Sequence, residues 1–263
     1  PGGLVRQYSL SNDPAELDRY VIAVLREPAS RGGSAAVHEQ LQAGQQITIS
    51  LPRNHFELHA PARKHLLLAG GIGITPILAM ARKLARDGAD FALHYCGRSR
   101  ERMAFAQTIE TAQWADKAQI HVDDVNGKSS LGLSELLQQR EQGQHLYVCG
   151  PKGFMDAVLD TARAAGWPAE QLHYEFFAAE VEHRDDDESE HDGEHHGSQW
   201  VVELLEHVAD HKHGQGVGDE APVVARQLAD EGAIGPIAML HVNHRLRPGA
   251  ADPEHVIFRR FRR

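Results

Sequence analysis

Leu66, Leu67, Leu68 and Ala69 run directly into Gly70, Gly71 and Gly73, and a helical pattern of Ile77, Leu78, Met80, Ala81 and Leu84 follows at once. A buried strand that passes into a helix through a glycine turn admits few folds. It belongs in a sheet covered on both faces, with the turn at an edge where backbone can approach a ligand. Glycines omit the Cβ atoms that would block that approach, and the first free N–H groups of the helix face whatever anion lies above them. Alone, such a turn is a weak signal, and its surroundings decide what it means.

From His65 onward those surroundings alternate between strand and helix. Strands are expected over 65–69, 91–96, 118–122, 145–149 and 171–175, and helices over 75–86, 101–113, 132–140 and 151–166. Such alternation implies a parallel sheet whose ligands bind off the carboxyl ends of the strands. The turn at 70–73, Cys96-Gly97-Arg98-Ser99-Arg100 and Cys149-Gly150-Pro151 all fall at strand ends and outline one crevice.

Residues 1–58 have a different rhythm. Strands are expected over 4–10, 20–25 and 46–51, with a turn at Ser11-Asn12-Asp13-Pro14 and a short helix over 35–41 after Arg31-Gly32-Gly33-Ser34. Three strands and one helix cannot close a barrel, so this part reads as half of a small β domain. The chain opens on Pro1-Gly2-Gly3 rather than Met, as a fragment would.

After Val181 the character changes again. Residues 182–197 are Asp, Glu and His with almost no apolar content, which reads as solvated or disordered. A helix is expected over 198–210, and 214–263 show no sustained periodicity. His183, His191, His195, His196, His207, His211 and His213 make this stretch a weak candidate for Zn²⁺ or Ni²⁺. The expected architecture is therefore a truncated antiparallel β-barrel over 1–60, an α/β doubly wound parallel sheet over 61–180 and an atypical, disordered tail over 181–263.

A net charge of −10 and a pI near 6.0 argue against nucleic acid as partner. No apolar run reaches the roughly 18 residues of a membrane span. The two cysteines, Cys96 and Cys149, each end an apolar run, which suits reduced thiols and a cytoplasmic setting.

Four blocks together resemble a known family: Arg6-Gln7-Tyr8-Ser9, Arg31-Gly32-Gly33-Ser34, Gly70 to Pro76, and Cys149-Gly150-Pro151-Lys152-Gly153-Phe154-Met155. Their order and spacing are similar to the ferredoxin–NADP reductase superfamily. Within it they look closest to the reductase components of aromatic-ring oxygenases, of the phthalate dioxygenase reductase and vanillate demethylase reductase type. Tyr174-Glu175-Phe176-Phe177 is similar to the end of that family's nucleotide domain. The resemblance covers roughly residues 1–180. It implies a flavin barrel, a nicotinamide-nucleotide domain and a plant-type [2Fe–2S] ferredoxin domain.

Physically, alternation puts Arg6 and Tyr8 on one face of a strand, the one to pair with a phosphate and the other to lie along a flavin. Ser9 then offers a hydroxyl and an N–H to the ring edge. Ala23, Val24 and Leu25 would line the same flavin. Gly32, Gly33 and Ser34 before a helix suit the phosphate; the resemblance favours FMN, and nothing in 1–58 suggests room for the adenine half of FAD. A plain turn with Ser34 as helix cap is the alternative.

Gly70, Gly71, Gly73, Thr75 and Pro76 would hold the nicotinamide side, with Thr75 near both cofactors. Arg98 and Arg100 fall where the adenosine ribose would lie; the acidic residue usual for a ribose 2′-OH is missing there, so NADPH stays open beside the family's NADH. Cys149, with Gly150 and Pro151, would lie near the nicotinamide C4, or be simply a small buried thiol. Phe177 would cover the flavin face, with Phe176 as the alternative.

The resemblance thus implies an NAD(P)H-dependent oxidoreductase that passes hydride from NADH to FMN and single electrons onward to a terminal oxygenase component, with Ser9, Thr75 and Cys149 nearest the chemistry. The [2Fe–2S] group is the departure. Its ligands are four cysteines, and none follows Cys149. A shifted reading frame after about residue 181 would account for the loss. The competing reading is a non-catalytic dinucleotide- or metal-binding remnant.

Overall fold

The computed structural model describes residues 4–17, 19–27, 32–41, 46–49, 52–59, 62–124, 127, 129–177 and the strand segments 198–203, 220–226, 239–244 and 256–259. Its best-packed part is a parallel sheet of β4 (Lys64–Gly70), β5 (Phe91–Gly97), β6 (Ala118–Val122), β7 (Gln144–Cys149) and β8 (Leu172–Glu175), ordered β6-β5-β4-β7-β8. From β4 the chain steps outward to β5 and β6, then returns to the other side of β4 for β7 and β8. The order therefore reverses between β4 and β7, and that gap is the topological switch point where such sheets bind ligands.

Alternation within β4 explains why the sheet is buried on both sides. Leu67 and Ala69 join Tyr147, Cys149, Leu93 and Tyr95 in one apolar cluster with Ile74, Ile77, Leu78 and Met80 of α2 (Ile74–Arg86). Leu66 and Leu68 face the other way, into Leu146, Val148 and Met155, Val158 and Leu159 of α5 (Lys152–Ala164). Leu67 and Leu68 are both 0 % exposed, and truncating either to Ala costs about 2–5 kcal/mol.

The expected strands of this domain lie within a residue of those observed. One helix does not. The segment expected as a helix over 101–113 is broken into a 3-10 turn at Arg100–Arg102, an extended Met103 and a short α3 (Ala106–Glu110). Met103 is buried, and a Cβ on Gly97 would lie 2.5 Å from its Cγ. Phe105 turns the chain with φ 61°. Core packing of Met103 has overridden a helical periodicity. The remaining helix, α4 (Leu133–Gln138), is shorter than its expected 132–140.

The amino-terminal part contains β1 (Leu4–Ser9), β2 (Arg19–Leu25), α1 (Gly33–Gln40) and β3 (Gln46–Ile49). None of its strands pairs with another of the three. Instead β9 (Ser198–Glu203), β10 (Glu220–Arg226), β11 (Met239–His244) and β12 (Val256–Arg259) intervene, giving a seven-stranded order β1-β11-β3-β9-β12-β10-β2. The expected helix over 198–210 is thus corrected at its start: Ser198–Glu203 is a strand that pairs antiparallel with β3. Gln199-Trp200-Val201-Val202 is rich in β-formers, and strand edges with free N–H and C=O rows take such partners. Residues 182–197, with four of the tail histidines, and His207, His211 and His213 lie outside the described residues.

The turn between β1 and β2 is tightly bonded. Ser11 donates from its N–H (2.8 Å) and hydroxyl (3.1 Å) to the Val21 carbonyl; Asn12 accepts from Val21 N–H at 2.9 Å and donates to the Arg19 carbonyl at 3.2 Å.

Candidate active site at the switch point

Parallel register brings three residues into line across the carboxyl edge of the sheet. Ala69 pairs with Cys149, and Cys149 with Glu175. Above them β4 ends in Gly70, followed by a 3-10 turn, Gly71–Gly73, and α2. Gly73 must be glycine: a Cβ there would lie 2.3 Å from the Cys149 carbonyl oxygen and 2.6 Å from the Gly150 nitrogen, both backbone. A Cβ on Gly150 would in turn meet the Gly70 Cα at 3.0 Å. The two glycine-containing loops therefore touch backbone to backbone, which draws the start of α2 against the end of β7. Thr75 is buried, and its hydroxyl donates to the Ile72 carbonyl at 3.2 Å, bracing the turn. Pro76 is buried in the first helical turn, where a missing N–H costs nothing, and Pro151 caps α5.

Ser9, at the end of β1, reaches this edge from the other domain. Its hydroxyl donates to Glu175 Oε2 at 3.1 Å. Glu175 is missing from the residues that sequence reasoning selected, although it sits inside the Tyr174-Glu175-Phe176-Phe177 block. The available signal was an ionisable side chain closing a strand at the same edge as Gly70 and Cys149. Burial pushes its carboxyl up to about 7, against the opposing Ser9 hydrogen bond. The Cys149 thiol is 0 % exposed, and burial, assisted by Glu175, holds its pKa well above the usual value. Cys149 is accordingly a neutral, compact wall rather than a nucleophile. Strand β2 also approaches the Gly71–Gly73 turn, with Ala23 and Val24 buried and Leu25 half-buried.

A second cluster forms where α1 begins. Gly32 precedes the helix with φ 89°, and Arg6 of β1 lies over Gly33 so closely that a Cβ there would fall 2.4 Å from Arg6 Nε. The Arg6 guanidinium, a helix start with no side-chain cap hydrogen bond and Ser34 thus converge. The Ser34 hydroxyl accepts from the Glu27 N–H at 3.2 Å. This donor set fits a phosphate monoester. Tyr8, two residues along β1, is raised by burial to about 12, so its phenol stays neutral.

The outlying candidates separate. Arg98 is exposed at the end of β5, whereas Arg100 is held in an ion pair with Glu110. Phe177 and Phe176 are 40 % and 43 % exposed, and Phe176 packs edge-on against Tyr174.

Known proteins are similar to this chain in sequence and fold. Residues 45–172 match the family described as dimethylamine monooxygenase subunit DmmA-like, N-terminal domain. The vanillate O-demethylase oxidoreductase of Pseudomonas sp. (strain HR199 / DSM 7063) is 52% identical over 179 residues, covering 68% of this chain and 56% of that protein. The phthalate 4,5-dioxygenase oxygenase reductase subunit of Pseudomonas putida is 41% identical over 181 residues, covering 68% and 55%. A solved phthalate dioxygenase reductase, described as modular for electron transfer from pyridine nucleotides to [2Fe-2S], superposes with a TM-score of 0.62 at 39% identity, covering 66% of this chain and 54% of that one. The fold shared with these proteins is a β module set against a doubly wound parallel sheet. Over its matched part the chain is similar to the reductase components of oxygenase and demethylase systems. It spans about half the length of the curated relatives it matches.

The residues present do not fit an iron–sulfur cluster. The sequence holds two cysteines against the four required; both are buried, with the Cys96 thiol raised to about 11. Among the described residues no group of three metal-ligating side chains converges, and no helix is long and apolar enough to cross a membrane.

Proposed function

We propose that this chain is the flavin- and nucleotide-binding part of an NADH-dependent electron-transfer reductase whose acceptor is a terminal oxygenase component. The observation that carries this reading is the Ser9–Glu175 hydrogen bond, which joins the end of the flavin-type strand to the strand edge holding Cys149.

Arg6, Gly33 and Ser34 would hold the FMN phosphate, Tyr8 and Ser9 the flavin ring, and Ala23 to Leu25 its flank. Gly71, whose Cβ position is open, leaves room for a nicotinamide above the sheet edge, while Gly70 and Gly73 let the loops pack closely and Thr75 keeps the turn in shape. Bound FMN supplies acceptance of a hydride from NADH and release of its electrons one at a time. The protein's part is alignment, which for a transfer between two held rings is worth more than any acid or base. Cys149 fills the floor of the site without competing as a nucleophile. Glu175, with its carboxyl pushed up to about 7, accepts a hydrogen bond from the Ser9 hydroxyl and orients it at the edge of the site. Arg98 is the available cation for a 2′-phosphate, since Arg100 is committed to Glu110; NADPH is therefore a weaker second donor.

Purified chain should quench FMN fluorescence on titration and reduce ferricyanide with NADH. A chain that binds FMN and NADH yet reduces no acceptor overturns the proposal in favour of a non-catalytic remnant.

A further inference from the structure

Helix α2 carries more than the glycine turn. Thr75, Arg82 and Arg86 are spaced by seven and then four residues, which places them along one stripe of the helix. Thr75 belongs to the switch point. Arg82, about 10 Å further along the axis at 1.5 Å per residue, donates from Nη1 to the Ser11 carbonyl at 2.7 Å. Arg86 pairs with Asp13. The opposite face of the helix is buried, with Met80 and Leu84 in the core, and the local Lys83–Asp87 pair lies beside the arginine stripe. One side of α2 is therefore fastened lengthwise to residues 11–13, and the strand end just before them supplies Ser9.

Of the two arginines, Arg82 is the one placed to set a distance. It is partly buried, whereas Arg86 is exposed. Burial lowers the Arg82 pKa, Glu16 opposes this and Arg19 adds to it; Glu16 and Arg19 are themselves paired. A guanidinium stays charged under these conditions, and a charge-assisted hydrogen bond in a partly desolvated place is stronger than an exposed ion pair. Its acceptor is backbone, in a turn already fixed by Ser11, Asn12 and Val21. Movement of α2 relative to β1 must break this bond.

We propose that Arg82 is a positioning residue that fixes the separation between Ser9 on the flavin side and the Gly70–Thr75 turn on the nicotinamide side. This rests on the reading of those two sides given above. Arg82 touches neither reactant; it holds the helix whose start contacts one of them against the turn whose neighbouring strand contacts the other. A misplacement near 1 Å in such an arrangement costs on the order of a hundredfold in rate, while binding to each side separately is spared.

The test uses the full chain with Arg82→Met, which keeps the stem and removes the donors, and Arg82→Lys, which restores a single donor. FMN titration and NADH KM should change less than about threefold, whereas single-turnover flavin reduction should fall roughly 10- to 100-fold in Arg82→Met and largely recover in Arg82→Lys. Amide hydrogen exchange on the flavin-free chain is the independent arm: Arg82→Met should speed exchange at residues 11–21 and at the start of α2, with β5 and α5 unchanged. Wild-type reduction rates in Arg82→Met, or exchange that rises evenly across the chain, would overturn the proposal. If the wild-type chain binds no FMN, the functional reading fails, and the exchange pattern still decides whether Arg82 is the joint.

Discussion

Ser9 Oγ and Glu175 Oε2, 166 positions apart in sequence, meet at 3.1 Å where the β module touches the carboxyl edge of the parallel sheet. Burial at this contact, opposed by the Ser9 hydrogen bond, brings the Glu175 titration toward neutrality. Its folded pKa, about 7, lies above its ordinary 4.5, so the neutral form is favoured by folding. The stability it contributes is complete below 4.5 and lost as pH rises through 7. Flavin reduction by NADH should show an inflection near pH 7 that Glu175→Gln abolishes. An unchanged profile in that variant assigns the inflection elsewhere.

The histidines at the other end of the strands have the opposite sign. His59 stacks on His145 at 4.4 Å, His145 Nδ1 lies 2.8 Å from His173 Nε2, and His173 stacks on Tyr147 at 4.6 Å. His65 is 5 % exposed and leaves its Nδ1 without a partner. Desolvation, then neighbouring imidazoles, pull His65 and His173 down to about 4, and desolvation also lowers His145. Asp90 and Glu170 oppose this for His65 and His145 respectively. Such groups contribute stability above the ordinary pKa of 6.5 that is lost as pH falls toward 4. Three imidazoles outweigh the single opposing carboxyl of Glu175, so the thermal midpoint should drop between pH 6.5 and 4. His173→Phe should flatten that slope; an equally steep slope in the variant would exclude the cluster as its source.

Gly73 and Gly153 offer a paired test of the switch-point contact. Gly73→Ala forces a Cβ into the backbone of Cys149 and should cost about 1–3 kcal/mol, as overpacking does, with loss of nucleotide binding. Gly153 lies in α5, and a Cβ added there would meet nothing within 4 Å. Gly153→Ala should stabilise by up to about 1 kcal/mol through helix propensity. Chemical denaturation of both variants checks the pair, and equal effects would rule out backbone crowding at Gly73.

If Arg6 holds the FMN phosphate as proposed, it should separate FMN from riboflavin. Removing its charge by Arg6→Gln should weaken FMN about tenfold or more, since charge-assisted phosphate contacts are worth about 1.5–3 kcal/mol, and leave riboflavin affinity unchanged. Fluorescence titration with both flavins reads this directly. Equal losses for the two would move the phosphate site away from Gly33.

Local pattern made the nucleotide-type domain legible. Leu66 to Ala69 and Leu146 to Cys149 are apolar runs that end in glycine, and their strands fall within a residue of expectation. The joints between domains were not legible, because Ser9–Glu175, Arg82–Ser11 and Arg86–Asp13 link residues 166, 71 and 73 positions apart. No local spacing announces such pairs. The histidine stack was hidden for the same reason, although His65 and His145 are register partners and His173 faces Tyr147. Where local pattern misled, as at 101–113, burial of Met103 against Gly97 decided the backbone.

If Ser9 and Cys149 flank one junction between a flavin and a nicotinamide, anaerobic rapid mixing of the FMN-loaded chain with NADH will reveal it. The visible flavin band should bleach in a single phase whose rate falls in Glu175→Gln and Arg82→Met. A flavin that binds but stays oxidised in the presence of NADH would show that the two rings do not meet at this edge.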